Sequence, residues 1–214
     1  IANLDTLILK AYISGTQLPQ IKLGQQVKVL IDDGKNNFTK TNNLPDIRTS
    51  KSCVKIQDIN VDGAPDIFLG GRVVPGRYPE TPKSYILMND GKGNFTDATT
   101  TICPALENIG MVTSAVWANV SGDDKKELIV VGEWMTPRIF EIKNGKLEEV
   151  KTNINNMFGW WQTVKVADVN NDGYPEIISM DMLAEDPYIL KRSLGEDDYD
   201  IFYNKIAIVI RRSS

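Results

Sequence analysis

Two stretches of this chain set oxygen-bearing side chains on alternate positions. In "DINVDGAPD" they are Asp58, Asn60, Asp62 and Asp66; in "DVNNDGYPE" they are Asp168, Asn170, Asp172 and Glu176. Counted from the first acid, the oxygens fall at positions one, three, five and nine. Position six is glycine in both, Gly63 and Gly173, and position seven (Ala64 or Tyr174) offers a backbone carbonyl. A hard divalent cation asks for this chemistry. Calcium takes six to eight oxygens at about 2.3–2.6 Å, and a tight loop with alternating ligands wraps them around one point. Glycine lets the chain turn sharply enough to aim the next carbonyl inward. The pattern predicts two Ca2+ sites on these ten residues. The alternative is a pair of polar turns held by Asx hydrogen bonds.

A third copy, "NVSGDDKKE", keeps oxygens at Asn119, Ser121, Asp123 and Glu127. There Asp124 replaces the glycine, and Lys125 and Lys126 bring positive charge. Charge and backbone both argue that Asn119–Glu127 holds no metal. None of the loops is an EF-hand, which needs a bidentate acid at position twelve and flanking helices. Leu69 and Ser179 stand at that position.

The loops must be carried by strands. After each comes a short apolar run bounded by glycine or polar residues, "DIFLGG", "ELIVVGEW" and "EIISM", which reads as a buried strand. Between the loops recur tight turns, at Gly34 in "VLIDDGKNNFT", Gly91 in "YILMNDGKGNFT" and Gly145 in "IFEIKNGKLEEV". Asp-Gly and Asn-Gly between apolar runs are strong hairpin signals. Turn and loop alternate strictly, while helical periodicity is absent through about residue 180. An all-strand unit of roughly 50–60 residues repeated along a chain predicts the blades of a β-propeller. The competing architecture, a sandwich with calcium loops, does not require that alternation.

Composition removes several chemistries. The chain has 214 residues, no histidine and two cysteines. Histidine-based zinc sites and Ser-His-Asp triads are therefore excluded. Cys53 and Cys103 show no metal-ligand spacing, and their pairing in an oxidising compartment stays open. The net charge is −4 and no basic stripe carries interleaved aromatics, so nucleic acid has no electrostatic footprint. No run approaches the ~18 apolar residues of a membrane span, and no export signal is visible. The chain opens on Ile1 in mid-pattern, which suggests a processed or partial chain.

The segments around the loops resemble FG-GAP/VCBS repeats, the blades of integrin-α-like propellers. They include "DINVDGAPDIFLGGRVVPGRYPETPKSYILMNDGKGNFTDAT" and "GWWQTVKVADVNNDGYPEII". Nearest in kind are exported proteins of Bacteroidetes-type bacteria, some with an ASPIC/UnbV region. The resemblance covers about residues 28–182. It implies an all-β propeller, usually seven-bladed, with calcium in outer loops and binding surfaces on the faces. About four repeats fall within 1–182, the first partial blade in 1–40, so a larger ring is expected. Residues 183–214 diverge, as a continuation of the propeller or a tail.

Two functions compete. The first is a calcium-stabilised extracellular, cell-surface or periplasmic binding module for protein or glycan, within an outer-membrane complex for example. Loop Gly70–Lys83, with Arg72, Arg77 and Tyr78, would supply contacts, or else serve as a rigid connection. Trp160 and Trp161 would be a stacking platform for sugar, or else core. The second is a glycan-cleaving enzyme or an accessory domain of one, which needs two carboxylates. Acids such as Glu133 and the run Glu196–Asp198 are plentiful, but nothing in the sequence pairs them.

Overall fold

Each apolar run predicted to be a strand is one, and antiparallel meanders organise them. The computed structural model describes residues 30–32, 38–40, 44–47, 49–182 and 205–209. Strands β1 (Leu30–Asp32) and β2 (Phe38–Lys40) pair antiparallel, with Leu30 opposite Lys40. The Gly34 turn between them lies outside the described residues. The first complete blade is β3 (Ser50–Gln57), β4 (Asp66–Val73), β5 (Tyr85–Asn89) and β6 (Phe95–Asp97), in that spatial order. The second is β7 (Met111–Ala118), β8 (Glu127–Met135), β9 (Arg138–Lys143) and β10 (Lys146–Val150). The third is β11 (Gly159–Ala167), β12 (Glu176–Asp181) and β13 (Lys205–Val209). Strand β13 draws part of the divergent C-terminal segment into this blade, with Val209 opposite Ile177.

The turns behave as their residues dictate. Asn144 and Gly145 have φ of 51° and 71°, and Lys143 pairs with Lys146 across them. Two consecutive left-handed residues give the hairpin turn whose twist matches its strands.

Blades stack through side chains that alternate along the second strand of each, and the end of β8 also pairs antiparallel with the start of β11, Met135 opposite Gly159 and Glu133 opposite Trp160. Along β8, Leu128 and Val130 join the core shared with the first blade, which holds Phe68, Ile86 and Val112. Ile129 and Val131 point the other way, into a core with Trp161, Val164 and Ile177 of the third blade. Strand β8 is buried on both faces, which is why its sequence is a continuous apolar run rather than an alternating one. In β4 the same rule sends Phe68 to one side and Ile67 and Leu69 to another core with Ile47 and Leu87.

Two short helices were not foreseen, α1 (Thr99–Ile102) and α2 (Pro104–Glu107). They carry the chain from β6 at the edge of one blade to β7 at the start of the next. Pro104 opens α2, where a missing N–H costs nothing. At one turn each they are too short to show a period. Cys103 and Leu106 sit buried in the core beneath. Cys53 and Cys103 are free thiols, and burial raises the pKa of both.

Close approach fixes one glycine. A Cβ at Gly132 would stand 2.3 Å from the Met111 carbonyl oxygen, where the register of β7 against β8 shifts.

Candidate metal loops and an inter-blade pocket

Each oxygen-rich loop joins the first strand of a blade to its second. In the first, the Asp58 carboxylate accepts the N–H of Asp62 at 3.2 Å and of Gly63 at 2.8 Å. The last loop repeats both, Asp168 accepting from Asp172 at 3.2 Å and Gly173 at 2.9 Å. Position five caps position seven in each: Asp62 accepts the Ala64 N–H at 2.8 Å and Asp172 the Tyr174 N–H at 2.9 Å. The Asn60 and Asn170 amides donate to Asp62 and Asp172 at 2.7 and 3.1 Å.

Position nine does something the spacing did not reveal. Asp66 and Glu176 are buried. Asp66 accepts the N–H groups of Ile59 and Asn89, each at 2.9 Å, and Glu176 that of Val169 at 2.8 Å. The ninth acid is thus a clamp on the loop's own backbone and, at Asp66, on the end of β5 as well. Burial lifts the pKa of Asp66 above its usual range; the two backbone N–H groups oppose the shift, and Asp62 and Asp58 add to it.

The middle loop keeps the path despite its residues. Positions four and six are left-handed in all three loops: Val61 and Gly63 at 60° and 87°, Gly122 and Asp124 at 83° and 64°, Asn171 and Gly173 at 59° and 86°. The glycine has moved from six to four, and Asp124 adopts the glycine conformation, which aspartate tolerates better than most residues. The backbone argument against this loop is therefore corrected. Glu127, buried like its counterparts, accepts from the Val120 N–H at 2.8 Å and the Ser121 hydroxyl at 2.9 Å. What separates this loop is chemistry: Asn119 stands at position one, and Lys125 and Lys126 follow.

A family model of the FG-GAP-like repeat matches residues 58–130 and again residues 119–179. The chain belongs to the FG-GAP-like repeat family. Both FG-GAP matches begin on the first residue of an oxygen-rich loop, so the loop is the head of the repeat. Repeats of this family are modules of binding, typical of extracellular and surface proteins. No curated protein matches the chain.

The donor set of the two full FG-GAP loops fits a hard cation, since every side chain at positions one, three, five and nine offers oxygen. Among the described residues, no three acids or cysteines already stand as a metal-binding group. The first acid accepts two backbone N–H groups, one on each oxygen, which leaves a lone pair on each for a cation.

The other candidates gather at the far end of the FG-GAP strands. Arg72 lies six residue steps along the strand from Asp66, about 20 Å. Arg72 and Glu133 are the fifteenth residues of successive repeats, and they form an ion pair between blades. Tyr78 donates to Glu133 at 3.4 Å and accepts the Trp134 indole N–H at 2.7 Å. Trp134 stacks on Trp160, with centroids 5.3 Å apart and planes inclined by 26°. Arg72, Val73, Tyr78, Glu133 and Trp160 line a pocket of about 390 Å3. Of the sequence candidates, Arg72, Tyr78 and Trp160 meet here. Arg77 does not, being exposed and paired with Glu80 at 3.2 Å. Nor does Trp161, a core residue only 3% exposed. In the sequence Glu133 is one acid among many with no evident partner, and Trp134 carries no ligand pattern. An acid and an aromatic directly after a buried run, in "VVGEW", were the available signal.

Proposed function

We propose that this chain is a calcium-braced, non-catalytic binding module of the cell surface or envelope, engaging protein or glycan through the end of its blades remote from the loops. Further blades would complete a propeller ring. The supporting observation is the loop itself, folded twice with the same hydrogen bonds and an all-oxygen donor set. Asp58, Asn60, Asp62, Asp66 and the Ala64 carbonyl would hold one Ca2+. Asp168, Asn170, Asp172, Glu176 and the Tyr174 carbonyl would hold the other. The ion would neutralise carboxylates crowded into one turn and tie down a segment otherwise costly to order. Hydrolysis of a glycosidic bond by the usual route needs two carboxylates across the substrate, and the pocket wall supplies one, already paired with Arg72. Among the described residues no helix is long and apolar enough to cross a membrane.

Melting with chelator and with millimolar calcium tests the reading. At one hundred times Kd each independent site adds about 2.7 kcal/mol, a rise of roughly 5–11 °C for a chain of this size. The Asp58→Ala, Asp168→Ala double variant should lose that rise. Equal calcium shifts in both proteins would reduce the loops to turns.

A further inference from the structure

The inter-blade pocket is built by three blades, since Arg72, Val73 and Tyr78 come from the first, Glu133 from the second and Trp160 from the third, with Trp134 behind Trp160. Its geometry is set in advance of any ligand. Trp134 has φ of 56°, a conformation a bulky side chain holds only where its surroundings impose it, and such strain gathers at functional sites. Trp134 is the extra residue where β8 meets β11, skipped between the pairs Glu133–Trp160 and Met135–Gly159, while the indole N–H bond to Tyr78 and the stack on Trp160 hold its ring.

The wall offers three things at once. Indole and phenol rings give flat apolar surface with polar edges. The Arg72 guanidinium donates only, and the Glu133 carboxylate, 4% exposed as a residue, accepts. Opposite charges in contact leave no net charge for an ionic ligand to answer.

A ligand matching all of this is uncharged, has one flat C–H face, and carries hydroxyls that donate and accept from neighbouring carbons. That describes a pyranose ring. We infer that the pocket bounded by Arg72, Tyr78, Glu133 and Trp160 binds a neutral sugar residue of a glycan. The C–H face lies against the rings of Trp160 and Tyr78, and adjacent hydroxyls are shared between the guanidinium and the carboxylate. The volume, near the lower end for small-molecule sites, suits one or two rings. A charged sugar is disfavoured because it would lose hydration to a wall whose Arg72–Glu133 pair has no net charge to offset the loss. This rests on the reading of the chain as a binding module and names its ligand class.

The test follows tryptophan emission and titration heat of the chain in millimolar calcium against neutral hexose and N-acetylhexosamine disaccharides, with sialyllactose and a sulfated disaccharide beside them. A neutral disaccharide should give a saturable change at millimolar concentration or below, and the two anionic sugars none. Trp160→Ala should weaken that binding at least tenfold. Val73→Trp fills the pocket without removing a polar partner and should abolish it, while melting near the parent temperature. Silence from every neutral sugar, preference for the anionic ones, or undiminished binding to folded Val73→Trp would overturn the inference. The calcium shift in melting temperature reads the loops separately, because they lie at the other end of the strands. Sugar binding can therefore fail with the loop reading intact, and the reverse.

Discussion

Glu127 separates what the loop fold requires from what a cation would add. It is 3% exposed, and its carboxylate accepts the Val120 N–H at 2.8 Å, the Ser121 N–H at 3.2 Å and the Ser121 hydroxyl at 2.9 Å. Truncation to alanine removes a charged acceptor from all three. Hydrogen bonds to a charged group contribute about 1.5–3 kcal/mol net. Ser121 is exposed and can turn to water, so the buried Val120 bond dominates. Glu127→Ala should cost about 2–3 kcal/mol, or roughly 4–12 °C in melting temperature. Glu127→Gln keeps one acceptor oxygen and should lose about half as much. Because this loop lacks the first acid and carries two lysines, the loss should be the same with chelator and with calcium. Asp66→Ala and Glu176→Ala, by contrast, should lose more when calcium is present. Urea titration of the parent and four variants under both conditions reads this directly. A Glu127→Ala loss within ~0.5 kcal/mol, the scale of an ordinary surface change, would refute the clamp. So would a loss that grows with calcium.

Two further outcomes follow from packing and charge. Gly132→Ala sets a Cβ against backbone at 2.3 Å and should destabilise by about 1–3 kcal/mol or more, measured by denaturant unfolding. A tolerated alanine would mean that β7 and β8 can separate at their bulge. Lys51 has its pKa lowered to about 8, by burial and then by the Lys83 charge. A lysine with a depressed folded pKa binds its proton more weakly than in the unfolded chain, so its share of stability rises from about pH 8 toward its ordinary value of 10.5. Lys51→Met should flatten that rise in melting temperature, and an unchanged slope would rule out Lys51 as its source.

The strands and hairpins were legible because each rests on local chemistry. "ELIVVG" has to be a strand with two buried faces, and "KNGK" has to turn. The loop was legible as a ligand pattern, but not the duty of its last acid, since spacing cannot tell a side chain aimed at a cation from one aimed at a backbone N–H. Asp124 misled for a related reason: a glycine two residues earlier, Gly122, serves the same turn. The pocket was half visible. Arg72 and Glu133 are 61 residues apart, and Tyr78 and Trp134 are 56. Only the stacking of blades brings such pairs together. Which of Trp160 and Trp161 faces inward depends on register around the irregularities of β11, which a sequence does not display.

The two-sided burial of β8 has a consequence for how the chain is made. On a ribosome the first blade emerges before the second, so Phe68 and Ile86 wait for partners that end at Leu147. At typical rates of synthesis that wait lasts roughly 3–12 s. The same exposure recurs one blade later, when Ile129 and Val131 await Trp161 and Ile177. A nascent chain of this design always ends in an adhesive surface, which the next repeat silences and then re-creates on its own far side. A stop codon placed after any complete blade would yield a well-paired sheet that aggregates, and a shortened form would stay soluble only if its last blade carried a polar outer face.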